Sequence, residues 1–427
     1  MIEYRDTPLT RDAPLRSVWR DFSASTLVTG LVAVLVGYGS SAVIIFQAAE
    51  AAGASDAQIG SWLWALGIGM GLTSLGLSLR YRMPILTAWS TPGAALLATS
   101  LPGVPMEQAI GAFLFSAALI TLCGVTGLFG ALVKRIPPAL AAALLAGVLL
   151  RFGIELFATL ATAWLLPLAM LASYVLGRRF APRYAIVLVL LVGVGLTAAQ
   201  GELSLAGVSL APTLPVFTAP AFSLATLVGV GIPLFVVTMA TQNLPGITVL
   251  RAAGYRPPTS PLIGWTGAAT LGLAPFGGFA LNLAAISAAV CMGREAHEDP
   301  LRRYTAGVAA GVGYLVLGVF GATVTALFAA LPGALIAALA GLALLGTIGN
   351  GLAAAMADER QRDAALVTFL FTASGVTLLG IGAAFWGLVA GMAVLWLGAG
   401  RRPAGRPFTQ ERATQEKVTQ DKQAAIG

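Results

Sequence analysis

Four polar stretches interrupt an otherwise apolar chain, and their residue types limit the chemistry open to it. They are Tyr38-Gly39-Ser40-Ser41, Trp89-Ser90-Thr91-Pro92-Gly93, Thr241-Gln242-Asn243-Leu244-Pro245-Gly246, and the run from Pro275 through Phe279 to Asn282. Hydroxyls, amides and aromatic rings hydrogen-bond and stack, which suits holding and releasing a ligand. An intramembrane enzyme needs a metal cluster, an Asp-rich diphosphate motif or a Ser/His pair, and none is legible. Cys123 and Cys291 are isolated thiols without CxxC spacing. The only histidine, His297, sits among Glu295, Glu298 and Asp299 in a loop. No nucleotide-binding loop is present. The expectation is therefore binding without catalysis, with no metal and no cofactor. One charged pair stands apart. Arg151 and Glu155 are four residues apart and can pair across one helical turn, as a structural pair near the outer surface or as a proton-carrying pair.

The elements that must position these residues are membrane spans. The chain is 57% hydrophobic and 10% charged, with a mean hydropathy of +0.86, and apolar runs of spanning length recur throughout. The reading gives fourteen, near 24–46, 58–78, 84–100, 107–132, 137–158, 162–177, 184–199, 222–246, 258–274, 278–292, 303–329, 332–356, 363–380 and 383–400. Of 25 Lys and Arg, all but Arg151 then fall in the termini or in gaps after even-numbered spans, such as Arg80 and Arg82, Lys134 and Arg135, or Arg360 and Arg362. The odd gaps hold Glu50, Asp56, Glu107 and Glu202 instead. Basic loops face the cytoplasm, so both termini are expected there, in the inner membrane of a bacterium. One span more or fewer would scramble the pattern. The net charge of +7 is thus a matter of topology and not of nucleic-acid binding. Residues 1–21 form a polar cytoplasmic segment without a cleavable signal, and 401–427 read as a disordered cytoplasmic tail.

Phe22-Ser23-Ala24-Ser25-Thr26-Leu27-Val28 is echoed by Phe222-Ser223-Leu224-Ala225-Thr226-Leu227-Val228, and Ala51-Ala52-Gly53 by Ala252-Ala253-Gly254. Span 1 thus pairs with span 8. A seven-span unit is odd, so the second copy enters from the opposite face, as in transporters built from inverted repeats. The repeats are 22–200 and 222–400, joined by an extracytoplasmic connector, 201–221. Spans 3 and 10 are short and follow Met83-Pro84 and Pro275-Phe276-Gly277-Gly278. Span 8 ends in a polar patch with a helix breaker. Unwound backbone at that depth is tolerated only where protein or a water-filled cavity covers it.

Seven-plus-seven repeats with broken spans 3 and 10 resemble the uracil/xanthine permease and sulfate permease/prestin architecture. Within it, three stretches resemble the benzoate/proton symporter (BenE) family: Ile85 to Gly93, Thr241 to Ile247 and Pro275 to Asn282. The resemblance covers about residues 20–400, and its most specific motif is Gln242-Asn243-Leu244-Pro245-Gly246. It implies an all-α polytopic fold, a short β-strand before each half-helix, a core domain of spans 1–4 and 8–11, and a gate domain of spans 5–7 and 12–14. It also implies import of benzoate with a proton by alternating access, and a homodimer.

Benzoate needs positive potential and an apolar slot. A buried Arg would cost about 2.5–3.5 kcal/mol even on insertion scales. A half-helix N-terminus presents free N–H groups and about half a positive charge instead, and two such ends could face one carboxylate. The candidate ligands are Ser90 and Thr91 at the start of span 3, Trp89 or Phe279 against the ring, Gln242 and Asn243 in span 8, Asn282 in span 10, and Tyr38 and Ser40 in span 1. Small hydroxyl residues such as Ser40, Ser41 and Thr91 serve helix packing equally well. Nucleobase permeases of this architecture carry glutamates where this chain has Gln and Asn, which favours an anion. Sulfate, bicarbonate, another carboxylate or an uncoupled anion channel are the alternatives. Proton coupling then has Glu155 or the substrate's own carboxylate as its carrier.

Overall fold

The computed structural model describes residues 15–128, 137–203, 205 and 208–399. The cytoplasmic tail expected at 401–427 and most of the N-terminal segment lie outside these residues. In chain order the helices are α1 (Leu15–Asp21), α2 (Ala24–Ala51), α3 (Asp56–Tyr81), α4 (Thr91–Ser100), α5 (Met106–Thr126), α6 (Pro138–Ala158), α7 (Leu165–Phe180) and α8 (Ala185–Ala199). They continue as α9 (Leu224–Ala252), α10 (Thr259–Leu273), α11 (Ile286–Met292), α12 (Tyr304–Val319), α13 (Gly321–Ala329), α14 (Gly333–Met356), α15 (Arg362–Ala373) and α16 (Ala383–Ala399). Two strands, β1 (Thr87–Trp89) and β2 (Leu281–Leu283), form one small antiparallel sheet. Among the described residues six helices are long and apolar enough to cross a bilayer, or seven when the bent pair α12–α13 counts as one span. Leu31, Leu35, Phe180 and Trp396 are exposed, as expected of a surface solvated by lipid. This is a multi-pass membrane protein.

Local sequence explains the helix starts. Ser23 and Ser55 each form a capping box, their hydroxyls accepting from the Thr26 and Gln58 amides. Small residues let the long helices approach closely. A Cβ on Gly67 of α3 would lie 2.5 Å from the Gly318 Cα of α12. Two packing groups result: α2, α3 and α12 pack together with both strands nearby, while α6, α14, α15 and α16 pack among themselves.

Two spans differ from the sequence reading. The polar patch of span 8 does not end the helix, because α9 runs on through Pro245 to Ala252. A π-turn at Met239–Asn243 widens the helix just before the proline, with the Leu244 amide donating to the Met239 carbonyl. That turn makes room for a residue that lacks an N–H and crowds the preceding turn. Span 11 is not one rod either. It bends by 65° between α12 and α13. The 201–221 connector supplies the reason. Thr213 donates its amide to the Val319 carbonyl (2.7 Å), and its Oγ1 accepts from the Ala322 amide (2.6 Å), so the break keeps its hydrogen bonds.

Candidate functional site

Spans 3 and 10 are broken, and each is a strand followed by a short helix. After α3 ends with Arg82 in the left-handed region (φ 51°), the chain turns through Met83-Pro84 into β1 and then α4. After α10 it turns at Gly277 (φ 92°), where a Cβ would collide with the Trp62 ring, and passes through β2 into α11. The strands cross with Thr87 opposite Leu283, Ala88 opposite Asn282 and Trp89 opposite Leu281.

Strand backbone inside a membrane must find partners. Here side chains of neighbouring helices provide them. The Thr87 amide donates to Ser74 Oγ (2.9 Å) and the Trp89 amide to Met70 Sδ (3.2 Å), both on α3. The Leu281 amide donates to Thr270 Oγ1 on α10 (3.1 Å), and the Leu283 amide to Asn243 Oδ1 on α9 (3.0 Å). Arg303 closes the far end of the second arm, donating from Nη1 to the Met292 carbonyl (2.7 Å) and from Nε to the His297 carbonyl (2.7 Å). A cation there complements the negative end of α11.

Both arms end at one cavity of about 530 Å³. Thr91 at the start of α4 lines it, as do Ala285, Ile286 and Ser287 at the start of α11. Trp89 and Tyr314 supply aromatic wall, and Ala141, Ala142 and Leu145 of α6 an apolar one. Among the described lining residues none is Lys, Arg, His, Asp or Glu. Trp89 is fixed by its Nε1–H, which donates to Ser41 Oγ (2.9 Å), and by the Tyr38 ring packed edge-on with centroids 4.7 Å apart. Ser287 and Tyr314 bring hydroxyls to the same lining. The site therefore offers neutral hydrogen-bonding groups, two helix starts and an aromatic slot, which can hold a small anion carrying a ring.

The structure gathers some of the sequence candidates and disperses others. Trp89, Thr91 and Gln242 line the cavity. Ser90 lies just behind it, buried, its hydroxyl accepting from the Gly93 amide as the N-cap of α4 (3.0 Å). Tyr38 backs Trp89, and its buried hydroxyl has no partner among the described residues. The π-turn separates the two amides of α9: Gln242 is in the lining, whereas Asn243 is fully buried against β2. Asn282 is buried in the sheet and donates to the Ala280 carbonyl (3.0 Å), leaving Oδ1 without a partner among the described residues. Phe279 sits away from the cavity, packed against Trp62 and Phe113 at centroid distances of 5.8 and 5.5 Å. The side chain of Ser40 lies outside the described residues. Arg151 and Glu155 pair at 2.8 Å and are 65% and 40% exposed, away from this cavity.

Sequence reasoning missed Met70, Ser287, Tyr314, Thr347 and Asn350, all of which line the cavity. Asn350 could have been found, as the only amide in its apolar span, with Thr347 one turn earlier. Tyr314 carries no such signal.

The fold has counterparts among solved membrane proteins. It superposes on the murine solute carrier 26 family member A9 anion transporter in the inward-facing state with a TM-score of 0.58, covering 93% of this chain and 73% of that one. At 12% identity this shows the fold alone. The family is set by sequence. The benzoate membrane transport protein family, BenE, matches residues 20–397, and the chain belongs to it. Among its relatives, inner membrane protein YdcO of Escherichia coli K12 is 52% identical over 366 residues, covering 86% of this chain and 94% of that protein. The benzoate membrane transport protein of Acinetobacter baylyi is 41% identical over 378 residues, covering 88% and 96%.

Proposed function

We propose that this chain imports benzoate or a similar aromatic carboxylate, together with a proton, across the inner membrane of a bacterium. In this reading fourteen segments form two inverted repeats, 22–200 and 222–400, with both termini cytoplasmic. A core of spans 1–4 and 8–11 moves against a gate of spans 5–7 and 12–14 within a homodimer. One observation carries the proposal: a cavity whose described lining bears no formal charge, walled by Trp89 and Tyr314, into which both arms open.

The carboxylate sits between Thr91 and the start of α11, within reach of Ser287 and Gln242. Helix ends of this kind each contribute on the order of 0.3–2 kcal/mol, enough to bind and little enough to let go. The ring lies against Trp89. Ser90, Asn243 and Asn282 hold the two arms, and Tyr38 and Phe279 support them from behind. With no carboxylate in the described lining, the proton rides on the substrate itself or on Glu155. It also removes the electrical cost of anion import, about 2.3 kcal/mol per 100 mV.

The test is uptake of labelled benzoate into proteoliposomes under an imposed proton gradient. Accumulation that collapses with a protonophore is expected. Sulfate uptake in the absence of benzoate uptake would overturn the substrate assignment.

A further inference from the structure

A second cavity, of about 350 Å³, lies at the opposite end of the same helices. On α6 the first cavity is lined as far as Leu145, and the second by Gly147, Val148 and Arg151. On α9 the second is lined by Ala225, Thr226, Gly229 and Val230, far from Arg251 at the other end. The two cavities do not join. Leu96, Leu97 and Leu234 are fully buried between the stretches that line them, where α4, α6 and α9 pack together. At 1.5 Å per residue, Leu145 and Arg151 are about 9 Å apart along α6.

Arg151 is the single charged residue in the second cavity's described lining. Its Nε donates to Glu155 Oε1 at 2.8 Å, and no other hydrogen bond of its guanidinium occurs among the described residues. A guanidinium carries further N–H donors in a fork that matches a carboxylate. Thr372, also in the lining and 6% exposed, has a hydroxyl without a partner among the described residues. Glycines at 375, 380 and 382 line the same space, so backbone is accessible there.

We infer that this second cavity is a capture site for monocarboxylate anions on the face opposite the Arg-bearing loops, with Arg151 as its binding residue and Glu155 as the internal competitor that keeps binding weak. The inference rests on the transport function proposed above. An anion arriving at that face exchanges with Glu155 on the guanidinium, then passes inward when the leucine barrier opens. Weak capture is what a path requires, since a site that holds too firmly blocks onward movement.

The experiment compares uptake of labelled benzoate by right-side-out and inside-out membrane vesicles containing the full chain. It is run at ionic strengths of about 10 and 150 mM, where screening lengths are about 30 and 8 Å. Arg151→Gln should raise the KM roughly tenfold at low ionic strength in one vesicle orientation only. The effect should shrink at high ionic strength, and Arg151→Lys should recover most of it. Glu155→Gln removes the competitor and should lower KM in that same orientation. An unchanged KM in Arg151→Gln, equal losses in both orientations, or an unchanged or raised KM in Glu155→Gln overturns the inference. If wild-type vesicles carry no aromatic carboxylate, it is the transport function that fails, and the capture site with it.

Discussion

In the first arm, Ser90 caps a helix of ten residues with its own hydroxyl, Pro92 sits in the first turn, and the strand before it leans on Ser74 and Met70 of the helix just left behind. In the second arm, the helix has seven residues and no side-chain cap. The strand before it is reached through two residues in the left-handed region, Gly277 (φ 92°) and Ala280 (φ 41°), and depends on Asn243 from a different helix. The arms share a sheet, yet the first strand leans on its own preceding helix alone, whereas the second leans on its preceding helix through Thr270 and on α9 through Asn243. Capping also changes what each offers a ligand. The Gly93 amide is occupied by Ser90 and Pro92 has no N–H, so the α4 start keeps few free donors. The α11 start keeps its first-turn amides uncapped beside Ser287. The second arm thus keeps more free donors at its helix start and is the more dependent element.

That asymmetry can be broken at graded cost. Gly277→Ala forces a side chain into the left-handed region and against the Trp62 ring. A loss of about 2–4 kcal/mol is expected from strain plus overpacking, read as thermal unfolding of purified protein in detergent. Next, Asn243→Ala leaves the buried Leu283 amide without its acceptor. It should cost about 1–3 kcal/mol and abolish benzoate-induced stabilisation in the same assay, because the α11 start loses its anchor. Ser90→Ala removes one cap and should cost about 1 kcal/mol, with Ser90→Asp recovering stability but weakening benzoate binding by placing a negative charge beside Thr91. Gln242→Ala should leave stability within about 0.5 kcal/mol while reducing benzoate-induced stabilisation. Equal stability losses at Gln242 and Asn243 would sink the view that the π-turn divides their roles.

Much of this was legible in the chain. The broken spans were marked by Pro84, Pro92, Pro275 and Gly277, because proline and glycine restrict local backbone wherever they occur. The motifs from Ile85 to Gly93 and from Thr241 to Ile247 pointed to the family that the sequence comparison shows. The helix through Pro245 was not legible, since a π-turn is a hydrogen-bond shift with no composition of its own. Neither was the bend at Phe320, which depends on Thr213 arriving from a connector more than a hundred residues earlier in the chain.

The sequence by itself determined that apolar helices dominate, that spans 3 and 10 break, and that amides and hydroxyls gather near those breaks, because these follow from solvent transfer and local backbone preference. Only the tertiary structure decided which polar side chains face the open space and which spend their hydrogen bonds on the strands. Gln242 and Asn243 are neighbours in sequence and equivalent in chemistry. Their division of labour exists because a strand from elsewhere in the chain brings an unpaired amide to one of them and not the other.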